Sequence, residues 1–267
     1  MFEKEGGQAG LLLLEFTQTM AEERIIGRRL LHYSSLPSTM EVAAREARRG
    51  GEEGTVVWAD EQLSGRGRRG RSWISPTGGL FLSIVLRPTL PQLPSLLMLA
   101  SVALVRVLEG HFGLPARLKW PNDVLIKGKK VSGILVETSF RGEVLEYAVV
   151  GIGLNVNLDP EGYPEISATA TSLSREIGRG VDLGQTLGAL LEELDGLYRG
   201  LRSGREVFEE WRGYLETLGR RVKVVGVGVE EEGIAQDVAP DGHLLLLRKD
   251  GQRVEVPAGE VSLLPWG

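Results

Sequence analysis

The chain contains no cysteine, which excludes disulfides, thiolate nucleophiles and cysteine-ligated metals together, and suits a reducing, cytoplasmic setting. Histidine is nearly as scarce: His32, His111 and His243 lie far apart without ligand spacing, so no histidine-built metal site is expected. Positive charge is in deficit overall. A net charge of −5 over 267 residues argues against general affinity for nucleic acid, which rests on surplus Lys and Arg, so any basic site must be local. Long apolar runs are also missing. Leu96 to Val105 stops at Arg106, well short of the roughly 20 residues that cross a bilayer, and reads as a buried helix. Leu11 to Leu14 follows the acidic Glu3 and Glu5, the opposite of a secretory signal's basic start. No membrane association is expected. Neither a Gly-x-x-x-x-Gly-Lys-Ser/Thr phosphate loop nor a Gly-x-Ser-x-Gly nucleophile elbow occurs.

What is present divides into three parts. Residues 1–28 carry a short leucine run and mixed charge and read as a tail. Residues 29–218 read as one mixed α and β domain. In it, Ser38-Thr39-Met40-Glu41 looks like a capping box, with Ser38 as N-cap, leading into an alanine-rich helix ended by Gly50-Gly51. Strand-like runs follow at 55–58, 80–86, 124–126, 131–136 and 145–156, and helical spacing at 183–202 and 205–218. Residues 219–267 change to short β runs with turns at Pro240-Asp241-Gly242 and Lys249-Asp250-Gly251, the pattern of a small separate β-barrel.

Three stretches carry chemistry. Gly65-Arg66-Gly67-Arg68-Arg69-Gly70-Arg71 sets four fixed positive charges among three glycines, a loop that can wrap an anion. Read by itself, it is equally a solvated basic loop or a nucleic-acid contact. Lys119-Trp120-Pro121-Asn122-Asp123, with Lys130 and Gly133 beyond it, brackets an aspartate with two lysines; alone it is also a plain structural turn. Such a set can hold a carboxylate-phosphate anhydride, the cations on oxygen and the carboxylate orienting a nucleophile. Gly151-Ile152-Gly153-Leu154-Asn155-Val156-Asn157 resembles a dinucleotide fingerprint, but the third glycine is missing and no helix opens on it, so that reading is rejected. Its glycines mark close approach by a ligand or close packing between strands.

In this order and spacing, the three stretches, with Lys130-Val131-Ser132-Gly133-Ile134-Leu135-Val136-Glu137, resemble the signature of the biotin protein ligases. The likeness runs from about Leu30 to the C-terminus. It implies an α+β fold: a catalytic domain of the class II aminoacyl-tRNA synthetase kind with a mixed sheet and helices, plus a small SH3-like C-terminal β-barrel. It implies ATP-dependent activation of biotin to biotinyl-5'-AMP, then transfer to a lysine of a biotin carboxyl carrier protein, the carrier of acetyl-CoA carboxylase or a related carboxylase. By the family pattern, biotin would be held by Ser38, Thr39, Gln62, Gly65, Arg66, Gly133 and Leu135. The ATP and adenylate side would involve Arg68, Arg71, Trp73, Lys119, Asn122, Lys130, Gly153 and Asn155, with Trp73 covering the ligands. Lys130, Arg68 and Asp123 would be catalytic, Asp123 orienting the carrier lysine. Mg2+ is expected with ATP, held by phosphates and water rather than a protein cage.

Two departures stand out: Met40 occupies a position where many members carry Asn, and the tail has no room for the DNA-binding domain of members that also repress transcription. Operator binding is therefore not expected. Dimers occur in the family, and a homodimer is compatible with the resemblance. The rival readings are a lipoate or octanoate ligase, a biotin-sensing DNA-binding repressor, and a catalytically silent binding module.

Overall fold

The computed structural model describes residues 24–225, 230–257 and 259–264. The expected tail lies mostly outside them; its last residues, 24–28, are described, and Ile26 there is fully buried. Asp195 holds this segment by accepting from the backbone N–H groups of Ile25 and Ile26 at 2.7 and 2.8 Å.

A seven-stranded sheet organises the larger part. In chain order it comprises Leu30–Leu36 (β1), Val56–Gln62 (β2), Leu80–Leu86 (β3), Ala116–Lys119 (β4), Asp123–Ile126 (β5), Lys129–Arg141 (β6) and Val144–Leu154 (β7). The spatial order is β1-β2-β3-β7-β6-β5-β4, with β1 parallel to β2 and the other pairs antiparallel. All seven residues of β3, Leu-Phe-Leu-Ser-Ile-Val-Leu, are buried, as a central strand covered on both faces requires. Helix Thr39–Arg48 (α1) covers one face, where Met40, Val42, Ala43 and Ala47 pack with Val57, Val85 and Val149. The other face carries Leu93–Arg106 (α2) and Leu183–Arg202 (α4) over a larger apolar core. Two short helices, Leu173–Ile177 (α3) and Phe208–Gly213 (α5), complete this part.

Among the described residues, Leu90–His111 is the one helical stretch long and apolar enough to cross a membrane; its central part, Leu96 and Met98 to Val105, is buried in the core. An all-round apolar helix needs such cover in a globular fold.

Strands Arg221–Val225 (β8), Glu230–Val238 (β9), Leu244–Leu247 (β10), Arg253–Val256 (β11) and Glu260–Leu263 (β12) form a second, antiparallel sheet in the order β11-β10-β9-β8-β12. Leu244 and Leu246 of β10 are buried while Leu245 and Leu247 are half-buried, the alternation of a one-sided sheet.

Two local expectations differ from what forms. Ser38 has the extended backbone of an N-cap (φ −157°), but its side chain makes no capping bond. Gln62 of β2 instead accepts from the Thr39 N–H at 2.8 Å, so a tertiary partner satisfies a first-turn amide. The helical spacing over 205–218 produces only the six-residue α5, because the chain then runs alongside β4: Leu118 N–H donates to Tyr214 O and Glu216 N–H to Leu118 O, both at 2.9 Å.

Gly54 has φ +82°, and a Cβ there would lie 1.8 Å from the carbonyl oxygen of Ile25. Gly54→Ala should cost about 1–3 kcal/mol for the backbone conformation alone, lowering the urea midpoint; an unchanged midpoint would contradict this close approach.

Candidate functional site

The cleft forms on the α1 face of the large sheet because side chains alternate along β6 and β7. Ile134, Val150, Ile152 and Leu154 point into the larger core, while Gly133, Leu135, Gly151 and Gly153 fall on the other side. Gly133 pairs with Gly153, and Leu135 with Gly151, so the floor has almost no side-chain relief. Large side chains lie across these glycines. A Cβ on Gly153 would come within 2.5 Å of the Trp73 ring, and one on Gly133 within 2.8 Å of it. A Cβ on Gly151 would meet the Met40 sulfur at 2.4 Å. The glycines therefore admit side chains from α1 and the arginine loop rather than a neighbouring strand's backbone.

One end of the cleft is a hydroxyl and amide network. Gln62 Oε1 accepts from Thr39 N and Thr39 Oγ1 at 2.8 and 3.0 Å, and Gln62 Nε2 donates to Ser75 Oγ at 2.9 Å. Ser83 Oγ donates to Thr39 Oγ1, and Ser75 Oγ to Trp73 O. Ser38 Oγ is buried with no hydrogen-bond partner among the described residues.

The other end gathers cations. Residues 65–73 fold back on themselves, with Trp73 N donating to Gly65 O and Gly67 N to Arg71 O, and with Arg69 at φ 57°. Arg68 Nη1 donates to Asn122 Oδ1 at 3.0 Å and to Gly259 O at 3.4 Å. Burial lowers the Arg68 guanidinium below its ordinary value, Asp123 works against that, and Arg69 adds to it. An arginine so placed stays cationic. Lys130 Nζ pairs with Asp123 Oδ1 at 2.6 Å and lies 5.0 Å from the Trp73 ring centre. Asn122 is fixed in turn: its Nδ2 donates to Ile134 O at 3.0 Å, and its carbonyl accepts from Ile134 N at 3.1 Å. Trp120, 2% exposed, pins the turn by donating Nε1 to Gly242 O and its backbone N–H to Thr217 Oγ1.

The second sheet reaches the same place. Arg71 pairs with Glu260, Arg69 donates to Val225 O, and Gly259, Glu260 and Val261 line the cleft with the arginine loop.

The cleft encloses about 960 Å³ counting its open mouth. Thr39, Gln62, Arg66, Arg68, Arg71, Trp73, Lys119, Asn122, Asp123, Lys130, Gly133, Leu135 and Gly153 all line it. Arg66 sits at the rim and pairs with Glu137 at 2.5 Å. Ser38, Gly65 and Asn155 are not among the lining residues. A Cβ on Gly65 would strike Ser75 Oγ and Trp73 O at 2.4 Å, so this glycine lets the loop close on itself. Asn155, 3% exposed, donates Nδ2 to Thr171 O, while its backbone N–H donates to Val131 O. It ties the segment after β7 to the sheet. Leu82 and Glu260 line the cleft without having been singled out in sequence, and Met40, which was not assigned to the site, lines it too. Met40 was visible only as a departure, and nothing local marks Glu260, 189 residues from Arg71.

Such a site can bind a molecule with an apolar and amide-like end and an anionic end, and can oppose charge developing on oxygen at the latter. Its carboxylates, Asp123 and Glu260, are each ion-paired. The one metal-compatible cluster among the described residues, Asp241, His243 and Glu255, lies on the second sheet and does not line the cleft.

Known proteins resemble this chain in sequence and in fold. The family model described as biotin/lipoate A/B protein ligase matches residues 33–155, and that of the biotin protein ligase C-terminal domain matches residues 217–264. The bifunctional ligase/repressor BirA of Bacillus subtilis is 34% identical over 233 residues, covering 85% of this chain and 72% of that protein. The biotin–[acetyl-CoA-carboxylase] ligase of Paracoccus denitrificans is 35% identical over 227 residues, covering 77% and 88%. Among solved structures, the biotin protein ligase of Aquifex aeolicus in complex with biotin and ATP superposes with a TM-score of 0.75 at 32% identity, covering 89% of this chain and 99% of that one. With the glycine floor, the arginine loop and the second sheet all in place, this chain belongs to the biotin protein ligase family.

Proposed function

We propose that the chain joins biotin to ATP as biotinyl-5'-AMP, releasing pyrophosphate, and then passes the biotinyl group to a lysine of a carboxylase's biotin carrier, releasing AMP. The observation that carries this reading is the convergence of Arg68 and Lys130, from a glycine-arginine loop and from β6, on one cleft. In the first step a biotin carboxylate oxygen attacks the α-phosphorus and the bond to pyrophosphate breaks. In the second the carrier's amine attacks the acyl carbon and the bond to AMP breaks. Both steps build negative charge on oxygen, which Arg68 and Lys130 oppose. Thr39, Gln62, Gly133 and Leu135 would hold the acid. Asp123 would orient the incoming lysine, which must lose a proton before attack.

Substrate must replace existing contacts: Arg68 leaves Asn122 Oδ1 for phosphate, and Lys130 exchanges the Asp123 carboxylate for the reacting oxygens. Ser38, Gly65 and Asn155 would act behind the cleft wall, through the helix start, the loop closure and the chain after β7. We further propose that 29–218 forms the catalytic unit and 219–267 the appended one, and that the protein works in the cytoplasm without DNA. A homodimer fits the same reading, because β6 runs past β5 and, among the described residues, its stretch from Leu135 to Arg141 pairs in the sheet only with β7.

Incubation with ATP, biotin and a biotin carboxyl carrier domain, with lipoate in a parallel tube, tests the function. Biotin-dependent pyrophosphate release and carrier labelling are expected; equal release with lipoate would favour the lipoate-ligase alternative. Lys130→Ala should keep measurable biotin binding while cutting adenylate formation by about two orders of magnitude, from the roughly 2.7–4 kcal/mol such a donor supplies; an undiminished pyrophosphate burst would remove Lys130 from the mechanism. Glu260→Ala frees Arg71 from a half-exposed pair. It should speed tryptic cleavage of the arginine loop by about two- to fivefold, as a contact worth up to about 1 kcal/mol allows. Identical digestion rates would mean that the Arg71–Glu260 pair does not hold the loop.

A further inference from the structure

We propose that Met40 closes the end of the cleft that receives the ring of the acid and thereby sets which acids the enzyme activates; this deepens, and rests on, the biotin-ligase reading above.

The cleft has a direction that the strand register fixes. Gly153 lies opposite Gly133, and a Cβ built on Gly133 would come 3.3 Å from Lys130 Nζ, so this level is the cationic end. Gly151 lies two residues back along β7, about 7 Å away at strand rise, opposite Leu135 on one side and Ser83 on the other. At that level the Met40 side chain crosses the floor. Its sulfur lies 2.4 Å and its Cγ 3.1 Å from where a Cβ on Gly151 would stand, a crossing that only glycine allows. Met40 is 4% exposed, and it lines the cleft from the first turn of α1. A carboxylate drawn to Lys130 and Arg68 therefore points the rest of its molecule at the thioether.

The chemistry at this end is that of a shaped wall. Of the polar groups near Met40, Gln62 binds Thr39 and Ser75, and Ser83 binds Thr39, which leaves Ser38 Oγ without a partner among the described residues. Methionine adds an unbranched, polarisable surface with only a weak acceptor, and it fits a ring by contact rather than by hydrogen bonding. Discrimination by contact depends on volume. Truncating Met40 to alanine removes Cγ, Sδ and Cε, the atoms that limit how far an acid can extend past Gly151.

The test measures biotin-dependent and lipoate-dependent pyrophosphate release by the full chain and two variants. Met40→Ala is expected to raise the biotin KM about tenfold and to raise the lipoate-to-biotin ratio of kcat/KM by about tenfold or more, the scale on which lost or added methylene contacts discriminate. The KM for ATP, bound at the opposite end, should move far less than that for biotin. Gly151→Ala approaches the same point without truncation: its new Cβ drives the thioether into the cleft, and the biotin KM should again rise about tenfold. This second variant carries the test if Met40→Ala fails to fold. A folded Met40→Ala protein with the wild-type lipoate-to-biotin ratio, or a folded Gly151→Ala protein with the wild-type biotin KM, overturns the role of Met40. Loss of biotin-dependent release in the wild-type protein would instead overturn the ligase reading on which it rests.

Discussion

The site depends on the two-residue period of β6 and β7. Alternation sends Ile134, Val150 and Ile152 into the core beneath the sheet and leaves Gly133, Gly151 and Gly153 above it. A sheet face is ordinarily covered by side chains of its own, and here bare backbone admits Trp73 and Met40 from elsewhere in the chain. Stability and function thus share the same strands. The buried aliphatic face fixes the register, since a shift by one residue would expose it, and the register decides where the glycines stand.

Positive charge gathers on this floor without a positive protein. The net charge is −5, yet Arg68, Arg71, Lys119 and Lys130 line one cleft, and the local field is partly met by Asp123 and Glu260. Such pairing lets buried or half-buried cations persist before an anion arrives. It also makes the two sheets one working unit, because the loop that carries Arg68 rests on Gly259, Glu260 and Val225 of the smaller sheet.

Much of this was legible in sequence where the signal was local. The start of α1 after Ser38, the helix over 183–202, the strands and the arginine-glycine loop all follow from spacing and from Gly and Arg chemistry. Legibility failed where a distant partner decided the outcome. Ser38 looks like a capping residue, but Gln62, 23 positions on from Thr39, serves the helix start. Residues 205–218 have helical spacing, but pairing with Leu118 pulls most of the segment out of the helix. Family resemblance placed Asn155 on the ATP and adenylate side; its buried side-chain amide also donates to Thr171 O, a tie that spacing does not reveal. Met40 appeared as an irregularity, and only the packing against Gly151 gives it a place.

Lys130 is joined to its surroundings twice. Its side chain pairs with Asp123 of the adjacent strand, while its backbone N–H and carbonyl bond Thr169 and Thr171, fastening the stretch that leads from β7 to α3. Because main-chain atoms make that second attachment, exchanging the side chain leaves the fastening in place. The position separates electrostatics from scaffolding within one residue, so a loss on altering it reads out charge rather than collapse of the neighbouring segment.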